Sequence, residues 1–241
     1  MRAPVSLTHF LETMKDNPTR RDHVQRSLLE LSAGEVLATE WTVTRHEADG
    51  ARLAATHEYA RRRVVSRDVW DWVRPPTMAF RYKLISRALR CTPEGLFKGL
   101  ARLPDNRALN ERAREVLGHG AEAANASRYS LPSFQRMLLG QGIDDVVVGR
   151  TDAELSRSFR AVATRRAIQS EIVRARPSGL EPNDLTDLMF LSVALPYLDA
   201  VCVDRRMFAR IEAARSTVGI PWARAFKKLE DLLTWVDATC C

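Results

Sequence analysis

Three aspartates in the last quarter of the chain have the residue type and spacing needed to bind a divalent cation. Asp184 and Asp187 are three residues apart, so both can project from one side of a helix near its start. We interpret Asp184 as a helix-capping residue, because an acid in a first turn accepts backbone N–H groups. Asp187 lies one turn further in and precedes an apolar run. We therefore expect Asp187 to be buried, where a carboxylate needs a cation to offset its desolvation.

The third aspartate, Asp204, follows the apolar run Ala200–Val203. Such a run predicts a parallel strand covered on both faces, and acids at the carboxyl ends of parallel strands lie where open α/β sheets bind ligands. The alternative is a turn-forming aspartate that precedes a helix. Asp199 opens the same strand at its far end, and we interpret it as a turn residue.

A fourth acid, Glu12, lies near the N-terminus one helical turn after His9. A single H-x-x-E pattern is weak evidence for a functional site, because such pairs usually lie on solvated surfaces. We also interpret the adjacent pairs His46–Glu47 and His57–Glu58 as solvated. The chain contains no H-E-x-x-H, G-x-S-x-G, Walker or G-x-G-x-x-G motif. It therefore gives no support for hydride transfer, P-loop phosphoryl transfer or serine hydrolysis of the usual kind.

The elements that must position these acids alternate between short apolar runs and helical patterns. At the N-terminus, Pro4–Leu7 predicts a strand, and Thr8 could cap a helix that starts at His9. A second helix is predicted from Pro18 to Gly34, followed by an extended stretch that runs into another helix. Further helices are predicted over residues 52–72, 152–174, 184–195, 205–216 and 221–236, with a β-like run at 145–148.

Composition limits the class of protein. The 241 residues are 45% hydrophobic and 28% charged, which is typical of a globular chain, and no apolar run is long enough to span a membrane. The N-terminus does not resemble a secretory signal, and the four cysteines show no metal-binding spacing, so we expect a cytoplasmic protein. The net charge of +7 permits a polyanionic partner. However, only five of the 37 basic residues are lysine, a skew that codon usage in a GC-rich genome would produce.

The segment PNDLTDLMFLSVALPYLDAVCVDRRMF resembles the C-terminal half of PIN-like nuclease domains. In that family an aspartate opens a helix and a later strand ends in a second aspartate, and Asp187 and Asp204 match these two acids. PVSLTHFLET resembles the second strand and helix of the family, whose acid would be Glu12. The resemblance covers about 40 of the 241 residues.

The resemblance implies an α/β fold, a three-layer α/β/α sandwich with a small parallel sheet, helix-rich overall. Residues 1–241 would form one PIN-like domain, with 50–180 as a mostly helical elaboration. It also implies that Glu12, Asp187 and Asp204 bind Mg²⁺ or Mn²⁺ and that the protein cleaves single-stranded RNA, held by the basic helices 57–73 and 157–176. A toxin or defence-type role would add an antitoxin-like protein partner, and a homodimer is a further expected assembly.

The chain departs from the family pattern at its start. PIN-like domains begin with a strand that ends in an aspartate, upstream of the strand that Pro4–Leu7 would match. A shortened N-terminus, a replacement strand at Asp145–Val148 or a degenerate site would each explain this difference. The alternative functions are a non-catalytic, basic, helical module that binds nucleic acid, and a helical protein-interaction subunit.

Overall fold

The computed structural model describes residues 3–6, 9, 18–52, 58–67 and 152–240. Glu12 and the β-like run at 145–148 lie outside these ranges. Within them the protein is a helix-rich α/β structure with two small sheets. The described elements are, in chain order, α1 (Pro18–Ser32), β1 (Val36–Leu37), α2 (Glu40–Arg52), α3 (Glu58–Arg61), β2 (Val65–Ser66), α4 (Asp152–Ser158), α5 (Arg160–Ala175), α6 (Pro182–Tyr197), β3 (Ala200–Cys202), α7 (Arg205–Val218), β4 (Arg224–Phe226) and α8 (Leu229–Cys240).

The N-terminal unit is a short β-α-β arrangement. Val5 forms a parallel bridge to Val36, with its N–H donating to the Glu35 carbonyl at 3.1 Å and its carbonyl accepting from Leu37 at 2.9 Å. Helix α1 connects the two, and Gly34, at φ 78°, turns the chain into β1. Val5 is thus the bridged residue of the strand predicted at residues 4–7.

Strand β2 pairs with β1 in the antiparallel direction, with Val36 opposite Ser66. The sequence predicted one helix over residues 52–72, and this is wrong where β2 lies. Ala38 donates to the Val64 carbonyl at 2.8 Å, and Val64 is 1% exposed. Burial of Val64 and pairing with β1 outweigh the local helical pattern.

The C-terminal unit is also β-α-β: β3 and β4 are parallel, with α7 between them. Asp204 caps the start of α7, and Gly219 ends it in the left-handed conformation at φ 65°. The sequence predicted a helix from residue 221 to 236, but the structure has β4 and then α8. Phe226 of β4 is 8% exposed and pairs with Cys202 of β3, so burial and strand pairing outweigh the local helical pattern here.

The core lies between α5, α6 and α7, and includes Phe159, Ile168, Leu188, Leu191 and Ile211. Phe159 interrupts the helix predicted from 152 to 174 and is fully buried between α4 and α5. The later part of the predicted 50–180 elaboration therefore belongs to the core. None of the described helices is long and apolar enough to cross a lipid bilayer.

Candidate functional site

The N-terminus of α6 is held by a buried carboxylate. Asp184 is 1% exposed, and it accepts the Glu181 N–H at 2.7 Å in a capping box that closes the first turn. Its carboxylate also pairs with Arg176, and with Arg206 at 3.3 Å. These partners compensate its burial, and they agree with the capping role that we inferred for Asp184.

Asp187 is less buried than the sequence predicted. Its side chain is 32% exposed, and the Arg206 guanidinium lies 3.7 Å from its carboxylate. The fully buried acid of this helix is Asp184, so the expectation of burial was wrong for Asp187. Because Asp187 reaches solvent, its carboxylate does not need a permanent partner to be tolerated.

Asp204 lies just beyond the carboxyl end of β3. The strand ends at Cys202, and the Asp204 carboxylate accepts the Met207 N–H at 2.6 Å as the N-cap of α7. The prediction of a parallel strand is confirmed by its pairing with β4. The prediction that both faces of this strand are covered is wrong, because Val201 is buried whereas Cys202, on the opposite face, is exposed.

Arg206 joins the two helix starts. It lies in the first turn of α7, two residues after Asp204, and its guanidinium contacts both Asp184 and Asp187 on α6. Arg206 therefore links Asp187 of α6 to the start of α7, whose N-cap is Asp204. The Arg206 side chain is 45% exposed, so its pair with Asp187 contributes little, about 0–1 kcal/mol.

A serine–histidine pair follows the Val5 bridge. Ser6 is 5% exposed, and its hydroxyl accepts the His9 backbone N–H at 3.2 Å, which caps the turn. The His9 ring also contacts Ser6: its Nδ1 lies 3.3 Å from the Ser6 backbone nitrogen and 3.1 Å from the Ser6 hydroxyl oxygen. Ser6 therefore makes the capping contact, while Thr8 lies outside the described residues.

The His9 ring packs against α6. Its centroid is 4.8 Å from that of Phe190, and burial lowers the pKa of His9 below its ordinary value of 6.5. Phe190 is three residues after Asp187, so the two side chains are neighbours on the helix surface. We interpreted His9 as solvated and gave Ser6 no role. The S-x-x-H spacing at the end of an apolar run is the sequence pattern from which the Ser6–His9 contact could have been predicted.

A second polar cluster lies inside the core. Glu47, expected to be solvated, is 3% exposed and accepts the Ala161 N–H at 2.9 Å and the Tyr197 hydroxyl at 2.5 Å. Burial raises the pKa of Glu47 to about 8, although both hydrogen bonds oppose that change. Nearby, Glu40 pairs with Arg165. These groups join α2 to α5 and α6.

The basic helices differ in how many charges they offer to a polyanion. In and after α3, Arg61, Arg62 and Arg63 are exposed, as is Arg67 beyond β2. In the predicted basic segment 157–176, by contrast, the exposed arginines Arg157 and Arg174 lie near opposite ends of the segment, and Arg165 is 5% exposed. The exposed arginine turn at 61–63 is thus the denser basic surface.

The predicted metal ligands are brought together only in part. Asp187 pairs with Arg206 of α7, the helix whose N-cap is Asp204, whereas Glu12 is outside the described residues. In the ranges that the structure describes, no group of three or more histidine, cysteine or acidic side chains could hold a metal ion. Two carboxylates still fit Mg²⁺, which often takes one or two protein carboxylates and completes its shell with water and substrate phosphate.

Comparisons of the chain with protein-family models, with curated proteins and with solved structures give no match. The resemblance to PIN-like domains rests on the residue pattern around Glu12, Asp187 and Asp204 alone.

Proposed function

We propose that the protein is a divalent-metal-dependent, PIN-like ribonuclease that hydrolyses phosphodiester bonds of single-stranded RNA. One observation supports this most strongly. Arg206 follows Asp204 at the start of α7, just beyond the carboxyl end of β3, and its guanidinium pairs with Asp187 of α6. Ligands of open α/β sheets bind at that end.

Asp187 and Asp204 would hold the Mg²⁺ or Mn²⁺ ion, with Glu12 as the third ligand that the family resemblance implies. Their carboxylate oxygens are the donors that such ions prefer. The Asp204 cap engages Oδ1, and the exposed pair of Arg206 with Asp187 is weak enough for a cation to displace. When bound, the ion would activate water and stabilise charge on the phosphate.

Exposed arginines would bind the RNA substrate. The arginine turn at 61–63 and Arg67 would contact RNA phosphates. RNA as substrate fits a cytoplasmic protein. A toxin or defence-type role, with an antitoxin-like partner or a homodimer, is proposed from the resemblance alone.

The test is cleavage of a fluorescently labelled, single-stranded RNA with Mn²⁺, using three proteins. The wild type should cleave it, and Asp187→Asn should lose at least about 100-fold in rate, the scale of removing a charge-stabilising group. Asp199→Asn, at the other end of β3 and exposed, should cleave like the wild type. Equal rates for all three proteins would refute a site at Asp187.

A second candidate is a non-catalytic, basic module that binds nucleic acid. This function is favoured because the carboxylates already have contacts within the chain: Asp184 pairs with two arginines, and Asp204 caps a helix. This function predicts RNA binding in EDTA that weakens steeply with salt, with no response to Mn²⁺ and no cleavage. The cleavage test above separates the two candidates.

A further inference from the structure

The neutral His9 ring has only one proton arrangement compatible with its contacts. The Ser6 backbone N–H, 3.3 Å from Nδ1, can only donate, so Nδ1 must accept and cannot carry a proton. The Ser6 hydroxyl, 3.1 Å from the same atom, then donates to it as well. The proton of the neutral ring is consequently on Nε2.

The ring is also held in place. Phe190 lies against it at 4.8 Å between centroids, and Ser6 contacts both the ring and the His9 backbone. Burial lowers the pKa of His9, which favours the uncharged form at neutral pH. An imidazole with Nδ1 committed as an acceptor cannot bind a metal ion through Nε2 without breaking the contact to the Ser6 N–H.

We propose that His9 presents its Nε2–H as a fixed, neutral hydrogen-bond donor to a phosphate oxygen of the RNA. This inference rests on the proposed function, since the phosphate would lie in the site beside Asp187. Phe190 places the ring next to the helix surface that carries Asp187. A neutral donor binds a phosphate without adding a positive charge that would repel a metal ion in the same site. Ser6 acts as a positioning residue that selects the tautomer.

Two matched variants isolate the donor. His9→Gln keeps an N–H group at the end of the side chain, whereas His9→Phe keeps a planar ring against Phe190 but removes the donor. We expect His9→Phe to weaken binding of a short, single-stranded RNA in EDTA by about tenfold or more, the scale of one hydrogen bond to a charged group, and His9→Gln by less than about threefold. Thermal melts of both variants confirm that each is folded. RNA binding by His9→Phe at wild-type affinity would overturn the proposal.

The tautomer is measured independently by long-range ¹H–¹⁵N correlation of the histidine side chains, with His9 assigned from the His9→Gln spectrum. We expect a neutral Nε2–H ring at pH 7 and a shift of the Nε2 signal on titration with inorganic phosphate. A proton on Nδ1, or a phosphate titration that leaves the Nε2 signal unchanged, would overturn the inference even if RNA is cleaved. A phosphate-sensitive Nε2–H in a protein that does not cleave RNA would support His9 as a donor and reject the nuclease.

Discussion

The buried carboxyl of Glu47 should make the protein less stable as the pH rises. Its pKa is raised from 4.5 to about 8, chiefly because burial disfavours the charged form. A group whose pKa is higher in the folded than in the unfolded state stabilises fully below the unfolded pKa, and that stabilisation is lost as the pH rises through the folded value. Across the window from pH 4.5 to 8, the loss is at most about 5 kcal/mol.

Glu47→Gln tests this linkage because glutamine stays neutral at every pH. Its carbonyl can accept from Ala161 and Tyr197, as the Glu47 Oε1 does. Its amide, however, would take the place of Oε2, a buried atom with no hydrogen-bond partner among the described residues, and this adds a cost that does not vary with pH. The informative quantity is therefore the slope of stability against pH, and not the offset between the two proteins.

Urea denaturation followed by tryptophan fluorescence at pH 5, 6, 7 and 8 gives that slope. We expect the wild type to lose up to about 1.4 kcal/mol per pH unit relative to Glu47→Gln in this window. Glu212→Gln, an exposed acid on α7, is the matched control and should parallel the wild type. A constant difference between wild type and Glu47→Gln from pH 5 to 8 would refute the assignment of a raised pKa.

Three further substitutions test the packing of the core, each by urea denaturation at pH 7. Glu40→Gln should cost about 3–5 kcal/mol, because it removes the carboxylate charge that pairs with the buried Arg165 guanidinium, and a loss under 1 kcal/mol would contradict this. Trp222→Phe should cost about 1–3 kcal/mol, since Thr164 loses the indole N–H at 3.0 Å, and the cost should shrink in a Thr164→Val background. Leu188→Ala should cost about 2–5 kcal/mol, because Leu188 is fully buried in the core, and a neutral result would contradict that packing.

Local patterns predicted the helix starts near the candidate site well. Pro182 and Asp184 signalled the beginning of α6, and the structure closes that turn with a capping box. Asp204 likewise precedes α7, which begins at Arg205 as expected. These features are encoded within a few residues, so the sequence alone contains the information.

Features that depend on distant parts of the chain were predicted poorly. Strand β4 was assigned to a helix because its pairing with β3 is not visible in its own residues. Glu47 was predicted to be solvated because its hydrogen-bond partners, Ala161 and Tyr197, are more than 100 residues away along the chain and cannot be identified from the sequence around it. Arg206 received no role at the site because its contact with Asp187 follows from how α6 and α7 pack, and not from spacing along the chain.

The claim that Asp187 and Asp204 form a cation site is tested most directly by a thermal-shift titration with Mn²⁺. At 100 times its dissociation constant, an ion that binds only the folded state adds about 2.7 kcal/mol, which raises the melting temperature by about 5–10 °C for a chain of this size. Asp204→Asn retains a good capping residue but weakens the ligand set, so it should lose the shift, whereas Asp199→Asn should keep it. No saturable shift in the wild type, or an equal shift in Asp204→Asn, would contradict the proposed metal site.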